Sequence, residues 1–136
     1  MYIINDLELL ERIGKHGILR NILANNSISI SSIKLNEYSF SLRKQISIYS
    51  SLTVHAGDDD FEPWFAGKRM LASIGDLNSV YIAKKENLSL VISPEDIYLG
   101  KIARDNHVLS LKFDDFIVAT VKDEHMVQIY HLIKAA

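Results

Sequence analysis

The residues with the clearest capacity for chemistry are carboxylates, and their placement is more telling than their number. Asn5 and Asp6 follow the apolar run Tyr2-Ile3-Ile4. Glu37 comes about one helical turn beyond Ile28-Ser29-Ile30 and the serines that follow it. Gly75-Asp76 opens a stretch with helical spacing, and Ser93, Glu95 and Asp96 follow Leu90-Val91-Ile92. If the apolar runs are strands of one parallel sheet, separate segments deliver acids to a single edge. Carboxylates gathered in one cleft repel one another, and a hard divalent cation held by oxygen ligands relieves that cost. The cofactor this pattern points to is Mg²⁺ or Mn²⁺. A metal so held lowers the pKa of bound water and neutralises charge on a phosphoryl group, which makes phosphodiester hydrolysis the natural reaction.

The elements that must position these acids follow from apolar periodicity. Short apolar runs at Tyr2 to Ile4, Ile28 to Ile30, Leu52 to Val54, Leu88 to Ile92 and Val108 to Leu111 predict strands. Between them lie helical spacings: Leu9, Leu10 and Ile13, interrupted near Gly14 and Gly17 and resuming at Leu19, Ile22 and Leu23; then Ser32 to about Ser51; then Trp64 to Ala72; then Asp76 to Lys85. Ser93-Pro94-Glu95-Asp96 reads as a hydroxyl N-cap, a first-turn proline and first-turn acids, opening a helix to about Arg104. Met126, Ile129, Tyr130 and Ile133 form an apolar stripe on a last helix. Strand and helix in alternation predict a single three-layer α/β/α domain over 1–136, with a central, mainly parallel sheet of about five strands. Ligands in such sheets bind beyond the carboxyl ends of the strands.

Composition bounds the remaining classes. The chain has 136 residues, 48% of them apolar and 24% charged, enough for one domain with its own core. No uninterrupted apolar run of about 18 residues is present, which argues against a membrane partner, and the start MYIINDLELLERIGKH lacks a secretory pattern, so a cytoplasmic location is expected. The absence of cysteine excludes disulfides, thiolate zinc sites and thiol catalysis. A net charge of −2 gives no chain-wide pull on nucleic acid, so any RNA contact must be local. Lys68, Arg69, Lys84 and Lys85 could supply it.

The same residues resemble a PIN domain, the nuclease fold shared by VapC-type toxins and several RNA-processing enzymes. Asp6-Leu7-Glu8-Leu9-Leu10 is similar to the family's opening Asp-Thr-Asn/Ser-Val-Leu, with Leu7 in place of the hydroxyl residue and Glu8 in place of a small polar one. Ser29-Ile30-Ser31-Ser32 followed by Glu37 resembles the second strand and its helix-borne Glu, although the span from Glu37 to Asp76 is short for the family. Gly75 to Ala83 resembles the segment in which an acid precedes a helix ending in alanine, and Leu90 to Glu95 resembles the strand followed by Thr-x-Asp. The likeness fades beyond Leu111 and does not reach the helical tail at about 114–136. It implies a ribonuclease in which Asp6, Glu37, Asp76 and Glu95 or Asp96 hold metal, with Ser93 orienting a carboxylate or water. It also implies RNA cleavage leaving 5′-phosphate and 3′-hydroxyl ends, and a toxin role with an antitoxin protein and a homodimer as partners.

Each acid also has an ordinary role. Asp6, Asp76 and Asp96 suit helix caps or first turns, Glu37 a solvent-facing helical position, and Ser93 an N-cap. Gly57-Asp58-Asp59-Asp60 lacks the alternation of a calcium loop and reads as a solvated turn. Trp64 and Phe65 read as packing rather than a base-stacking platform, and His125 and His131 lie on different helix faces. Two other functions compete: a PIN-like module that binds without cleaving, and a receiver-like signalling domain with Asp58 as its phosphoacceptor.

Overall fold

The computed structural model describes residues 1–135; Ala136, the last residue of the expected domain, lies outside the described residues. The strands are β1 (Tyr2–Ile4), β2 (Ile28–Ser31), β3 (Thr53–His55), β4 (Ser89–Ile92) and β5 (Ser110–Lys112). They form one five-stranded sheet in the order β3-β2-β1-β4-β5, with every pairing parallel. The central register sets Ile3 against Ser29 on one side and Leu90 on the other. Runs of isoleucine, leucine and valine suit such strands because both of their faces are covered.

Side chains alternate between two apolar layers, making a three-layer α/β/α sandwich. Ile4, Ile28, Ile30 and Val91 point to one layer, packed by α1 (Leu7–Lys15), α2 (Ile18–Asn25), α4 (Phe40–Ser47), α8 (Phe113–Thr120) and α9 (Glu124–Ala135). Ile3, Leu90 and Ile92 point to the other, packed by α6 (Ile74–Glu86) and α7 (Ile97–Asp105), with Trp64 and Phe65 of α5 (Phe61–Ala66) at its margin. The short α3 (Ser32–Leu35) lies against α6. Gly17, at φ +78, separates α1 from α2 at the interruption expected from the sequence.

Several boundaries differ from the sequence-based expectation, each for a local reason. The helix expected over Ser32 to Ser51 is two helices, because Ser31 caps α3 and Ser39 starts α4 afresh by accepting from Leu42 N. The third expected helix lies earlier, over Phe61–Ala66, where Asp58 Oδ1 accepts from the backbone of Asp60 and Phe61. Helix α6 begins at Ile74 because Ser73 caps it, accepting from Asp76 N at 3.1 Å. Helix α7 starts at Ile97 rather than after Ser93, with Asp96 as N-cap accepting from Leu99 N at 3.1 Å. Ser93 is therefore not a cap, and its hydroxyl is free for another partner.

The helical tail expected at about 114–136 is two helices, the first of them α8, where Phe113, Phe116, Ile117 and Thr120 are all buried at helical spacing around the first-turn acids Asp114 and Asp115. The stripe on α9 packs on the chain's own core: Tyr130 and Ile133 are buried, with Met126 and Ile129 against the same cluster. Among the described residues, no helix is long and apolar enough to cross a membrane.

Asp114 ties the two C-terminal helices together, accepting from the Tyr130 hydroxyl and from Lys134 Nζ at 2.6 Å. Partial burial alone raises the Asp114 pKa; the hydrogen bonds from Lys134 and Tyr130 outweigh it and hold the carboxyl below its ordinary 3.8. A depressed folded pKa contributes stability above the unfolded value, and that contribution is lost as pH falls through the folded one. Asp114→Asn is therefore expected to destabilise the fold by about 1 kcal/mol at pH 7. This is the low end for a charged hydrogen bond because the side chain is 33% exposed. Urea unfolding of both proteins will show that gap closing as pH drops below 3.8.

Candidate functional site

Because every strand is parallel, all carboxyl ends lie on one edge of the sheet. The chain passes outward from β1 to β2 and β3, then returns to place β4 and β5 on the other side of β1. The reversal of strand order between β1 and β4 is a topological switch point, where the connections diverge and leave a crevice. Asp6 follows β1 and Ser93 follows β4, and the Ser93 hydroxyl donates to Asp6 Oδ2 across that crevice at 2.6 Å. Asp6 Oδ1 meanwhile accepts from Leu9 N at 3.1 Å as the N-cap of α1. One carboxylate thus opens a helix and ties two strand ends together.

Asp76 and Glu37 come to the same edge from the other side. Asn5, the residue between β1 and Asp6, donates from Nδ2 to Asp76 Oδ1 at 3.0 Å. Glu37 Oε2 accepts from Gly75 N at 2.7 Å, and Glu37 Oε1 accepts from the Ser73 hydroxyl at 3.3 Å. A carboxylate at the N-terminus of α6 takes up an otherwise free backbone donor and complements the helix dipole. Lys34 joins the two acids: its Nζ lies 2.6 Å from Asp76 Oδ1 and 3.3 Å from Glu37 Oε1. Burial alone would lower the Lys34 pKa, but the hydrogen bond and charge of Asp76, with Tyr38 and Glu37 adding, more than offset it and raise it, so the group is an ammonium ion.

A buried polar seam runs beneath this edge, between α6 and the sheet. Ser31 Oγ donates to Asn78 Oδ1 at 2.6 Å and accepts from Lys34 N at 3.0 Å, while Ser29 Oγ meets His55 Nε2 at 3.2 Å. Asn5 Oδ1, Asn78 Nδ2 and Ser79 Oγ are buried without a hydrogen-bond partner. Such atoms are costly in a folded core, and their concentration here is notable.

The remaining expected acids part company. Glu95 shares with Asp6 a shallow cavity of about 130 Å³, bordered also by Arg12 and Lys134. Asp96 caps α7 and borders a separate cavity of about 500 Å³ that Ser93, Arg104 and Lys112 also line. Glu95 is thus the acid on the Asp6 side. Asp58 is remote in role: it anchors the start of α5 and pairs with Tyr81 Oη at 2.8 Å and with Lys85. Lys68 and Arg69 lie over the rings of Trp64 and Phe65, within a cluster that also contains Phe61 and Tyr81.

The donors gathered at this edge fit a hard divalent cation in kind, being carboxylates, a hydroxyl and the unpartnered amide oxygen of Asn5. Yet among the described residues no three acidic or histidine side chains stand close enough to share one ion. The cation between Glu37 and Asp76 is the Lys34 ammonium. Sequence reasoning missed Lys34, although its i, i+3 spacing to Glu37 is an ion-pair signal. It also missed Ser73, three residues before Asp76 in the spacing of a capping box.

Gly75 is where the packing tolerates no side chain. A Cβ there would lie 2.5 Å from Glu37 Oε2 and 2.7 Å from the backbone Cα of Lys34. Gly75→Ala is expected to separate α3 from α6 and cost about 1–3 kcal/mol in urea unfolding, the range for overpacking. Gly67→Ala, which meets nothing within 4 Å, is the control and should stay within about 0.5 kcal/mol of the parent. No protein-family model, curated protein or solved structure matches the chain, so the site stands on its own geometry.

Proposed function

We propose that the protein is a PIN-like endoribonuclease, hydrolysing RNA phosphodiester bonds with Mg²⁺ or Mn²⁺ at the edge formed by Asp6, Glu37, Asp76 and Glu95. The observation that carries this reading is the meeting of Asp6 and Ser93 at the switch point, with Asp76 held by Asn5, the residue before Asp6. Carboxylates brought to one sheet edge from distant parts of the chain are oxygen donors of the kind a hard cation prefers. On this reading Asp6, Asp76 and Glu37 would have to draw together to hold the cation, with Lys34 leaving Glu37 and Asp76 and with Glu95 rather than Asp96 as the fourth acid. A cation so held supplies a water of lowered pKa and charge neutralisation at phosphate. The chain's own part is orientation: Ser93 fixes the Asp6 carboxylate, Asn5 fixes Asp76, and the α6 N-terminus fixes Glu37. RNA phosphates beyond the scissile bond have cations to meet in Arg104 and Lys112, which border the cavity adjoining Ser93.

A toxin role with an antitoxin and a homodimer as partners, and a cytoplasmic setting, accompany this proposal through the family resemblance alone. A second reading, the PIN-like module that binds without cleaving, has its own support in Lys34, whose ion pairs satisfy Glu37 and Asp76 without metal. The receiver-like alternative finds none. Receiver sheets run in the order 2-1-3-4-5, whereas here β3 is at the edge, and Asp58 is engaged with Tyr81 and Lys85.

The deciding measurement is cleavage of a panel of single-stranded and structured RNAs with Mn²⁺ or Mg²⁺, beside EDTA and Asp76→Asn, with unfolding curves showing that the variant is folded. Cleavage that needs the metal and falls to background in Asp76→Asn is the expected outcome. Its absence in folded, metal-supplied protein assigns the chain to the non-cleaving reading.

A further inference from the structure

The cavity of about 500 Å³ beyond the carboxyl ends of β4 and β5 has the size of a small-molecule site and lies where parallel sheets bind ligands. Ile97, Gly100 and Arg104 of its lining share one face of α7, being spaced by three and four residues. Gly100 sets that face close to the sheet, since a Cβ there would lie 3.3 Å from Ile92 Cδ1. Ile92, Ile97 and Leu111 give the cavity an apolar surface, and Ile97, at 76% exposed, has little cover from the chain itself.

Charges of both signs border the same space. Arg104 and Lys112 supply two cations, and Asp96 and Asp115 two carboxylates. Opposite charges so placed attract, yet none of the four takes part in an ion pair among the described residues. Asp96 Oδ1 is engaged with Leu99 N, so Asp115 is the acid open to a ligand. A phosphate ion alone would leave the apolar wall and Asp115 unused, and an apolar molecule would leave the cations unused. A nucleotide meets all three: it carries a phosphate, a flat base and, on adenine, cytosine and guanine, an exocyclic amino group that donates to a carboxylate. Uracil lacks that group.

We propose that this cavity is a nucleotide site, with the phosphate at Arg104 and Lys112, the base against Ile97 and Leu111, and the amino group of the base donating to Asp115. The inference deepens the ribonuclease reading by naming a substrate subsite beside Ser93, and it rests on that reading for the source of the nucleotide, one residue of an RNA strand.

The test follows the backbone amide resonances of the full chain during titration with AMP, UMP, inorganic phosphate and an adenine trinucleotide, each to about 10 mM to reach weak binding. Saturable shifts at the residues lining the cavity are expected, with AMP bound at least about fivefold more tightly than UMP, the low end for a hydrogen-bonded base contact, and more tightly than phosphate. Arg104→Gln and Lys112→Gln should each weaken AMP and UMP alike, whereas Asp115→Asn should bring AMP down to the level of UMP. Lys101→Gln, on α7 but outside the lining, should change neither. All four side chains are exposed, so the variants are expected to fold. Absence of saturable shifts at the cavity overturns the proposal, as does equal binding of phosphate and AMP or an AMP preference that survives Asp115→Asn. A trinucleotide that does not displace AMP overturns the assignment to an RNA strand. Binding of nucleotide without RNA cleavage would remove the nuclease reading and keep the site, whereas cleavage without nucleotide binding here would do the reverse.

Discussion

Compensation of carboxylate charge is the constraint around which this end of the molecule is arranged. Asp6, Glu37 and Asp76 reach one edge of the sheet from separate segments, and each is held by donors that other elements supply. Two of the three take backbone N–H groups at helix starts, Asp6 from Leu9 and Glu37 from Gly75, where the helix dipole favours negative charge. Lys34 provides the third form of compensation, a full positive charge between Glu37 and Asp76. The contact of α3 with α6, the absence of a side chain at Gly75 and the register of α6 on the sheet all serve this arrangement. If Glu37 moved, the Gly75 amide and the Ser73 hydroxyl would both lose an acceptor.

The seam beneath α6 extends the same logic into the core. A helix lying on a parallel sheet normally presents an apolar face, yet α6 buries Asn78 and Ser79 beside Leu77 and Val80. Ser31 binds Asn78 at the end of β2 and caps α3 with the same oxygen, so one hydroxyl fixes α6 against the sheet and starts the helix that carries Lys34. Buried polar pairs of this kind add little net stability compared with apolar packing, but they penalise any other register by leaving groups unpaired. The seam therefore acts as a positioning device for Asp76, which stands two residues before Asn78.

The architecture was legible because strand and helix differ in apolar period: β1 and β4 are short aliphatic-rich runs and β2 alternates isoleucine with serine. The gathering of Asp6 and Asp76 at one edge was legible for a related reason: in a parallel sheet, chain order alone places every post-strand residue on one side. What was hidden depended on competition among local signals. Ser93-Pro94 has the form of a helix start, but Asp96 offers a stronger acceptor three residers before Leu99 N, and Ser93 turns to Asp6 instead. Lys34 was hidden because a lone lysine on a helix is ordinarily solvated. Only the approach of α6, made close by Gly75, buries it.

These departures from local expectation cluster, and that is what gives them meaning. A mostly buried lysine, an orphaned amide oxygen at Asn5, a glycine that tolerates no Cβ and a serine diverted from capping all lie at the carboxyl edge around β1. The opposite layer, with Tyr130, Phe113 and Phe116 fully buried among aliphatic residues, follows ordinary packing rules. Chains concentrate broken rules where function demands them, because packing alone would replace a costly polar group with an apolar one. Asp6 stands with Ser93 at the crevice that the strand order opens, and Asp76 and Lys34 are joined to it through Asn5.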